Sequence, residues 1–106
     1  MKRANTLDLG RFTEPGLLIL VSLADGPKHG YAMIEDIRRL AATTLGAGTL
    51  YGALARLERL GYIEALSSND RRVPYRLTAG GRVLLESQLD GLRRFTATGM
   101  RRLART

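Results

Sequence analysis

The sequence predicts a mainly α-helical domain with one small β-hairpin, ending in a long C-terminal helix. Three observations carry this expectation. Apolar residues recur at helical spacing in successive segments, a polar turn between Leu66 and Val73 separates two short extended stretches, and Thr78 opens an amphipathic run that continues to the last residues.

Composition sets the frame. The 106 residues suffice for one modest core, and 44% hydrophobic with 25% charged residues is ordinary globular material. Without cysteine there is neither a disulfide nor a thiolate metal site, which fits a reducing compartment. The longest apolar run, Leu17 to Leu23, is far too short to span a bilayer, and Asp8 and Glu14 break any secretory-signal pattern. The expectation is a soluble, cytoplasmic protein with no membrane partner. Seventeen basic against 10 acidic residues give a net charge of +7, which favours polyanionic partners and salt-sensitive association. Nearly all the basic residues are arginine, Lys2 and Lys28 being the lysines, so position says more than number.

Met1 to Phe12 reads as a polar, irregular arm. Thr13 or Glu14 then precedes Pro15, and proline in the first helical position followed by LLILVSLA predicts a helix apolar around most of its circumference, hence central to the core. Asp25, Gly26 and Pro27 end it. A second helix from Gly30 or Tyr31 places Met33, Ile34, Ile37, Leu40 and Ala41 on its apolar side, with Glu35, Asp36, Arg38 and Arg39 toward water. Thr43 to Gly48 forms the turn into a third helix at about 48–60. At about 100° per residue, Leu50, Ala53, Leu54, Leu57 and Leu60 fall in one broad stripe. The opposite side carries Thr49, Gly52, Ala55, Arg56 and Arg59. Small residues there permit close approach to a partner, and the two guanidinium groups can fork onto phosphates or guanine edges. Taken alone, this pattern is more often an amphipathic surface helix with two solvated arginines, because such helices are common.

The residues after this helix narrow the choice. Gly61 is the expected left-handed residue at its end, and Tyr62 and Ile63 begin an extended run that continues into Leu66. Ser67 to Asp70 is a polar turn, after which Val73, Tyr75 and Leu77 alternate with Pro74 and Arg76. Pro74 cannot donate to a ladder, which puts it on an open edge or outside the paired region. Arg71 and Arg72 lie at the tip of this hairpin, either as a solvated loop or within reach of a groove or phosphates. Helix, helix, turn, helix, hairpin, helix is the order of a winged helix-turn-helix.

The final helix runs from Ala79, with Thr78 as N-cap. Leu85, Leu89, Leu92, Phe95 or Thr96, Met100 and Leu103 recur at spacings of three and four, interleaved with Arg93, Arg94, Arg101, Arg102 and Arg105. Such a seam needs a partner, and the expected one is the same helix of a second copy; the other arrangement is a helix folded back along its own domain. Residues 1–78 therefore read as the winged-helix part, with 1–12 as an arm, and 79–106 as a dimerisation helix.

Three stretches, LLILVSLADGPKHGYAMIEDI from Leu17 to Ile37, GTLYGALARLERLGYI from Gly48 to Ile63 and PYRLTAGGR from Pro74 to Arg82, resemble in colinear order the PadR family of bacterial transcriptional regulators, in its subgroup with a short C-terminal helix. The resemblance implies a DNA-binding homodimer whose recognition helix opens at Thr49 to Tyr51 and whose wing is the hairpin at 67–72. The chain carries Ala47 where many members have a capping serine. In that arrangement Thr49, Gly52, Ala53 and Arg56 lie nearest the bases of the major groove, with Arg59 further along and Arg71 and Arg72 on backbone or minor groove. Tyr51 either bonds a phosphate or packs half-buried against a neighbouring helix. Lys28, His29 and Tyr31 cluster at the start of the second helix, where N–H groups meet phosphate. His29, the one histidine, lacks neighbouring ligands at metal spacing and reads as structural or phosphate-adjacent.

A twofold pair of such helices reads a pseudo-palindromic operator in double-stranded DNA, most simply as a repressor. The resemblance also implies a small-molecule effector at the dimer interface, where some relatives place an aromatic side chain. Here Leu92 occupies that region and Phe95 is the nearest aromatic. No cofactor is expected. Nucleophile, phosphate-loop and zinc motifs are absent from the sequence, which argues against an enzyme. The rival reading is a winged helix serving as a protein- or RNA-interaction module without specific duplex readout.

Overall fold

The computed structural model describes residues 14–69 and 71–105. The expectations for the arm at 1–12, for Thr13 and for Asp70 in the wing turn lie outside the described residues.

Helix α1 spans Pro15–Leu23. Glu14 is its N-cap, the carboxylate accepting from the Leu17 N–H at 2.9 Å, and Pro15 takes the first helical position, where a missing N–H removes no bond. Leu18, Ile19, Leu20 and Leu23 are all buried, so α1 is the axis of the core, as its continuous apolar sequence predicts.

Past Gly26 the chain enters a two-residue strand that periodicity did not announce, β1 (Lys28–His29). Helix α2 (Gly30–Ala41) follows and buries Met33 and Ile37 against α1. Two expectations for α2 change. Leu40 is exposed rather than packed, and Asp36 turns inward instead of toward water. The cause is Ser22, buried in α1, whose hydroxyl donates to Asp36 Oδ2 at 2.7 Å. A buried hydroxyl left without an acceptor would cost about 1–3 kcal/mol.

Helix α3 (Ala47–Arg59) buries Leu50, Ala53, Leu54 and Leu57, while Leu60, expected in the stripe, is exposed at the C-cap. Its end has the geometry of a Schellman motif. The Tyr62 N–H donates to the Leu57 carbonyl at 2.9 Å, the Gly61 N–H to the Glu58 carbonyl at 3.0 Å, and Gly61 has φ +85°.

Strands β2 (Ile63–Ala65) and β3 (Pro74–Leu77) form the expected hairpin within a three-stranded antiparallel sheet of order β1-β3-β2. Pro74 is therefore not on an open edge. It lies in the central strand, opposite His29, and its carbonyl accepts from the Leu66 N–H at 2.8 Å. The position tolerates proline because it opens the strand, where an acceptor is used and no donor is required.

Helix α4 (Ala79–Ala104) starts at a tight junction. The Thr78 hydroxyl accepts from the Gly81 N–H at 3.0 Å, capping α4 as expected, and donates to the Gly61 carbonyl at 2.6 Å. A side chain at Gly81 would collide with the Tyr62 carbonyl, so glycine here allows helix and strand to touch. Leu85, expected in the dimer seam, is buried in the core of its own domain. The reason is that the first turns of α4 lie back across α1. The later turns project: the extents are 58 × 31 × 20 Å and the radius of gyration is 16.0 Å, against about 13 Å for a compact chain of about 100 residues. Among the described residues, no helix is long and apolar enough to cross a membrane.

Candidate nucleic-acid interface

Helix α3 presents its outer side to solvent through Gly48, Thr49, Gly52, Ala55 and Arg59. Nothing lies within 4 Å of a Cβ added at Gly52, so the glycine is not demanded by internal packing and leaves a flat ridge. Gly46 is the N-cap of α3 and has no side chain to cap it with, while Ala47, expected at the capping position, is instead the first helical residue. Ala53, expected near the bases, is instead buried at 4% exposure, because it lies on the edge of the stripe that faces the core.

Beside this ridge is a groove of about 230 Å³ where three distant segments meet. His29, Gly30 and Tyr31 come from the start of α2, Tyr51 from α3, and Arg71, Arg72, Val73 and Tyr75 from the wing. Each side chain has a local cause. His29 is the N-cap of α2, its Nδ1 accepting from the Ala32 N–H at 3.3 Å, which requires that nitrogen to be unprotonated. The ring of Tyr51 is seated on Gly30, with the hydroxyl where a Cβ at residue 30 would stand. Yet Tyr51 remains 51% exposed, so it packs and reaches solvent at once. Burial pushes the Tyr75 phenol above its ordinary pKa, and the Glu58 carboxylate acts in the same direction. Tyr31 is exposed, as are Arg71 and Arg72 at the wing tip.

His29, Tyr31, Tyr51, Arg71 and Arg72 are thus brought together, and Thr49, Gly52 and Arg59 share the adjoining face of α3. Two expected contact residues are elsewhere. Lys28 points inward, its ammonium donating to the Ser22 carbonyl and to Asp25 Oδ1, each at 2.5 Å. That hydrogen bond, reinforced by the lysine charge, holds the Asp25 carboxyl below its ordinary range. Arg56 lies on the flank of α3 that faces α1, 3.9 Å from Glu14 Oε2, over a separate cleft of about 390 Å³ floored by Leu17, Leu20 and Leu57. Gly30 and Tyr75 are site residues that sequence reasoning missed. A glycine directly after a helix cap was the available signal for Gly30. Among the described residues, no group of three or more His, Cys, Asp or Glu could hold a metal ion.

Similarity to known proteins falls on these same segments. The model of the transcriptional regulator PadR-like family matches residues 19–87, from the core of α1 through the wing and into α4. An uncharacterised 37.1 kDa protein in transposon TN4556 of Streptomyces fradiae is 42% identical over 86 residues; the match covers 81% of this chain, which spans about a quarter of that relative's length. Among solved structures, a PadR family transcription regulator from Clostridium difficile R20291 superposes with TM-score 0.73 at 28% identity, covering 79% of this chain and 92% of that one. Bacillus subtilis PadR in complex with operator DNA shares the fold, with TM-score 0.61 at 21% identity over 70% of this chain and 45% of that one. Family match, recognition-type helix and wing coincide on the same residues, and the chain belongs to the PadR-like family of transcriptional regulators.

Proposed function

We infer that the chain is a dimeric, sequence-specific DNA-binding repressor. The observation that carries this reading is the union of the α2 start, the Tyr51 end of α3 and the wing tip on one basic face, beside a ridge of small residues narrow enough for a major groove. In this reading α3 enters the major groove N-terminus first. Thr49 and Gly52 lie nearest the base edges, and Arg56 and Arg59 approach from the flanks. Tyr31, Tyr51 and His29 fix the register on phosphates, and Arg71 and Arg72 hold the neighbouring backbone or minor groove. Reaching DNA requires Arg56 to leave Glu14, a small demand on an exposed pair at 3.9 Å.

Two copies joined through α4 would present two such faces to a pseudo-palindromic operator, with half-sites about one helical turn or a multiple apart. Leu89 and Leu92 join Leu17, Leu18, Val21, Leu40 and Ala41 around an apolar groove of about 570 Å³, which supports a seat for the partner copy's C-terminal helix. A small-molecule effector, if the regulator uses one, belongs at that junction, and a cytoplasmic location follows from the DNA partner.

A mobility-shift titration against the DNA upstream of the chain's own gene, at several salt concentrations and with random competitor, tests the reading. Arg71→Ala with Arg72→Ala is expected to weaken binding on all sequences and to reduce the salt slope by about 0.9 for each phosphate no longer neutralised. Arg56→Ala is expected to narrow the gap between specific and random duplex. Equal duplex affinity for all variants would leave a protein- or RNA-interaction module instead.

A further inference from the structure

Lys28 stands where a phosphate ligand is expected, in β1 directly before the capping His29, yet its charge is engaged inside the domain. Its ammonium lies between Asp25 Oδ1 at 2.5 Å and Asp36 Oδ2 at 3.9 Å, and it also donates to the Ser22 carbonyl at 2.5 Å. The Lys28 side chain is only 19% exposed. One cation between two carboxylates leaves the cluster with a net negative charge, which repels phosphate. The same cluster joins three elements: the last turn of α1 through Ser22, α2 through Asp36, whose carboxylate also accepts from the Ser22 hydroxyl, and β1 through Lys28 itself.

Strand β1 links this cluster to the groove. Lys28 is opposite Tyr75 and His29 opposite Pro74 in the sheet, so β1 ties the start of α2 to the strand that leads back to the wing tip. A two-residue strand has too few ladder bonds to hold itself in place. The next residues cap α2 and seat Tyr51. We propose that Lys28 is a positioning residue for the DNA-binding groove rather than a phosphate ligand: with Asp36 and Ser22 it anchors β1 from inside, and so sets where His29, Tyr51 and the wing arginines meet DNA. The inference rests on the DNA-binding reading above.

The test uses the full chain and two labelled duplexes, one from upstream of its own gene and one of random sequence, titrated at several salt concentrations, with circular dichroism to verify the fold at the assay temperature. Lys28→Gln and Asp36→Asn are each expected to lower affinity by roughly three- to tenfold, the scale of a single hydrogen bond. The slope of log affinity against log salt is expected to stay unchanged, and the double variant to be no weaker than the weaker single variant. The sign for Asp36→Asn discriminates, because removing an acid from a purely electrostatic surface would tighten binding. A slope reduced by about 0.9 with Lys28→Gln, tighter binding with Asp36→Asn, or a lower melting temperature at unchanged affinity would each overturn the proposal. Should Lys28→Gln fail to fold, Ser22→Ala carries the same test, and unchanged affinity there overturns it. If the unchanged protein binds neither duplex, the DNA reading falls and the proposal with it; if it binds but a variant behaves as a phosphate ligand would, only the proposal falls.

Discussion

Ala42, the C-cap of α2, has φ +51°, and among the described residues it is the only non-glycine residue with positive φ. Its Cβ crowds the following carbonyl in that conformation, at a cost of about 1–2 kcal/mol that glycine escapes, while glycine gives back some of the gain through a freer unfolded chain. Ala42→Gly is therefore expected to stabilise the domain by up to about 1 kcal/mol, read as a raised denaturant midpoint at unchanged m-value. At the same scale, several residues were readable and others were not. Gly61 and Thr78 act on backbone a few positions away and do in the structure what their spacing announces. Asp36 looked like one more solvated charge on a helix, because its partner Ser22 belongs to another helix.

At the scale of elements, the junction between α3, β2 and α4 is tied by several hydrogen bonds. Thr78 bonds both Gly61 and Gly81, and the Thr78 N–H donates to the Tyr62 carbonyl at 3.2 Å. Gly81→Ala would drive a methyl into the Tyr62 carbonyl, which is backbone and cannot swing aside. A loss of about 1–3 kcal/mol is expected from equilibrium unfolding. Further along α4, the Arg93 hydrogen bond and the charge of Arg94 hold the exposed Asp90 carboxyl below its ordinary pKa. Because the folded value is the lower one, the contribution of these pairs is present above the ordinary carboxylate pKa and is lost as pH falls through the depressed value. A carbon-detected titration of Asp90 should show a midpoint below 3.8, the unperturbed value, moving back up in Arg93→Gln. Element boundaries were legible where a period or a cap marks them, as in α3. Strand β1 was not, since two residues have no period, and Lys-His carries no strand preference of its own.

For the whole molecule, the relevant fact is that α4 outruns its own domain. Leu89, Phe95 and Met100 are exposed along it, and an apolar groove lies between α1, α2 and the middle of α4. Isolated exposed leucines are ordinary, whereas a row on one projecting helix supports the proposed pairing with a second copy. Sedimentation should find a dimer for the unchanged chain and a monomer for Leu89→Glu with Met100→Glu. That variant should retain weak, salt-sensitive duplex binding while losing most of its preference for the operator, because half-site pairing and not the wing is what it removes.

By itself the sequence determined the helices, the ends marked by Gly61 and Thr78, the hairpin and the family, along with the basic character of the surface. These depend on residues within a few positions of one another, or on a colinear pattern that survives without coordinates. Only the tertiary structure decided that β3 is central with Pro74 inside it, that Lys28 faces inward, and that Leu85 belongs to the core rather than to the seam. It also decided that Arg56 sits with Glu14, apart from the wing arginines. For Pro74, Leu85 and Arg56 the deciding partner is distant in sequence, and for Lys28 it is the fold of the turn after α1 that brings Ser22 and Asp25 to the ammonium; the rotation of a packed helix about its own axis fixes which of two neighbouring clefts a flanking side chain enters.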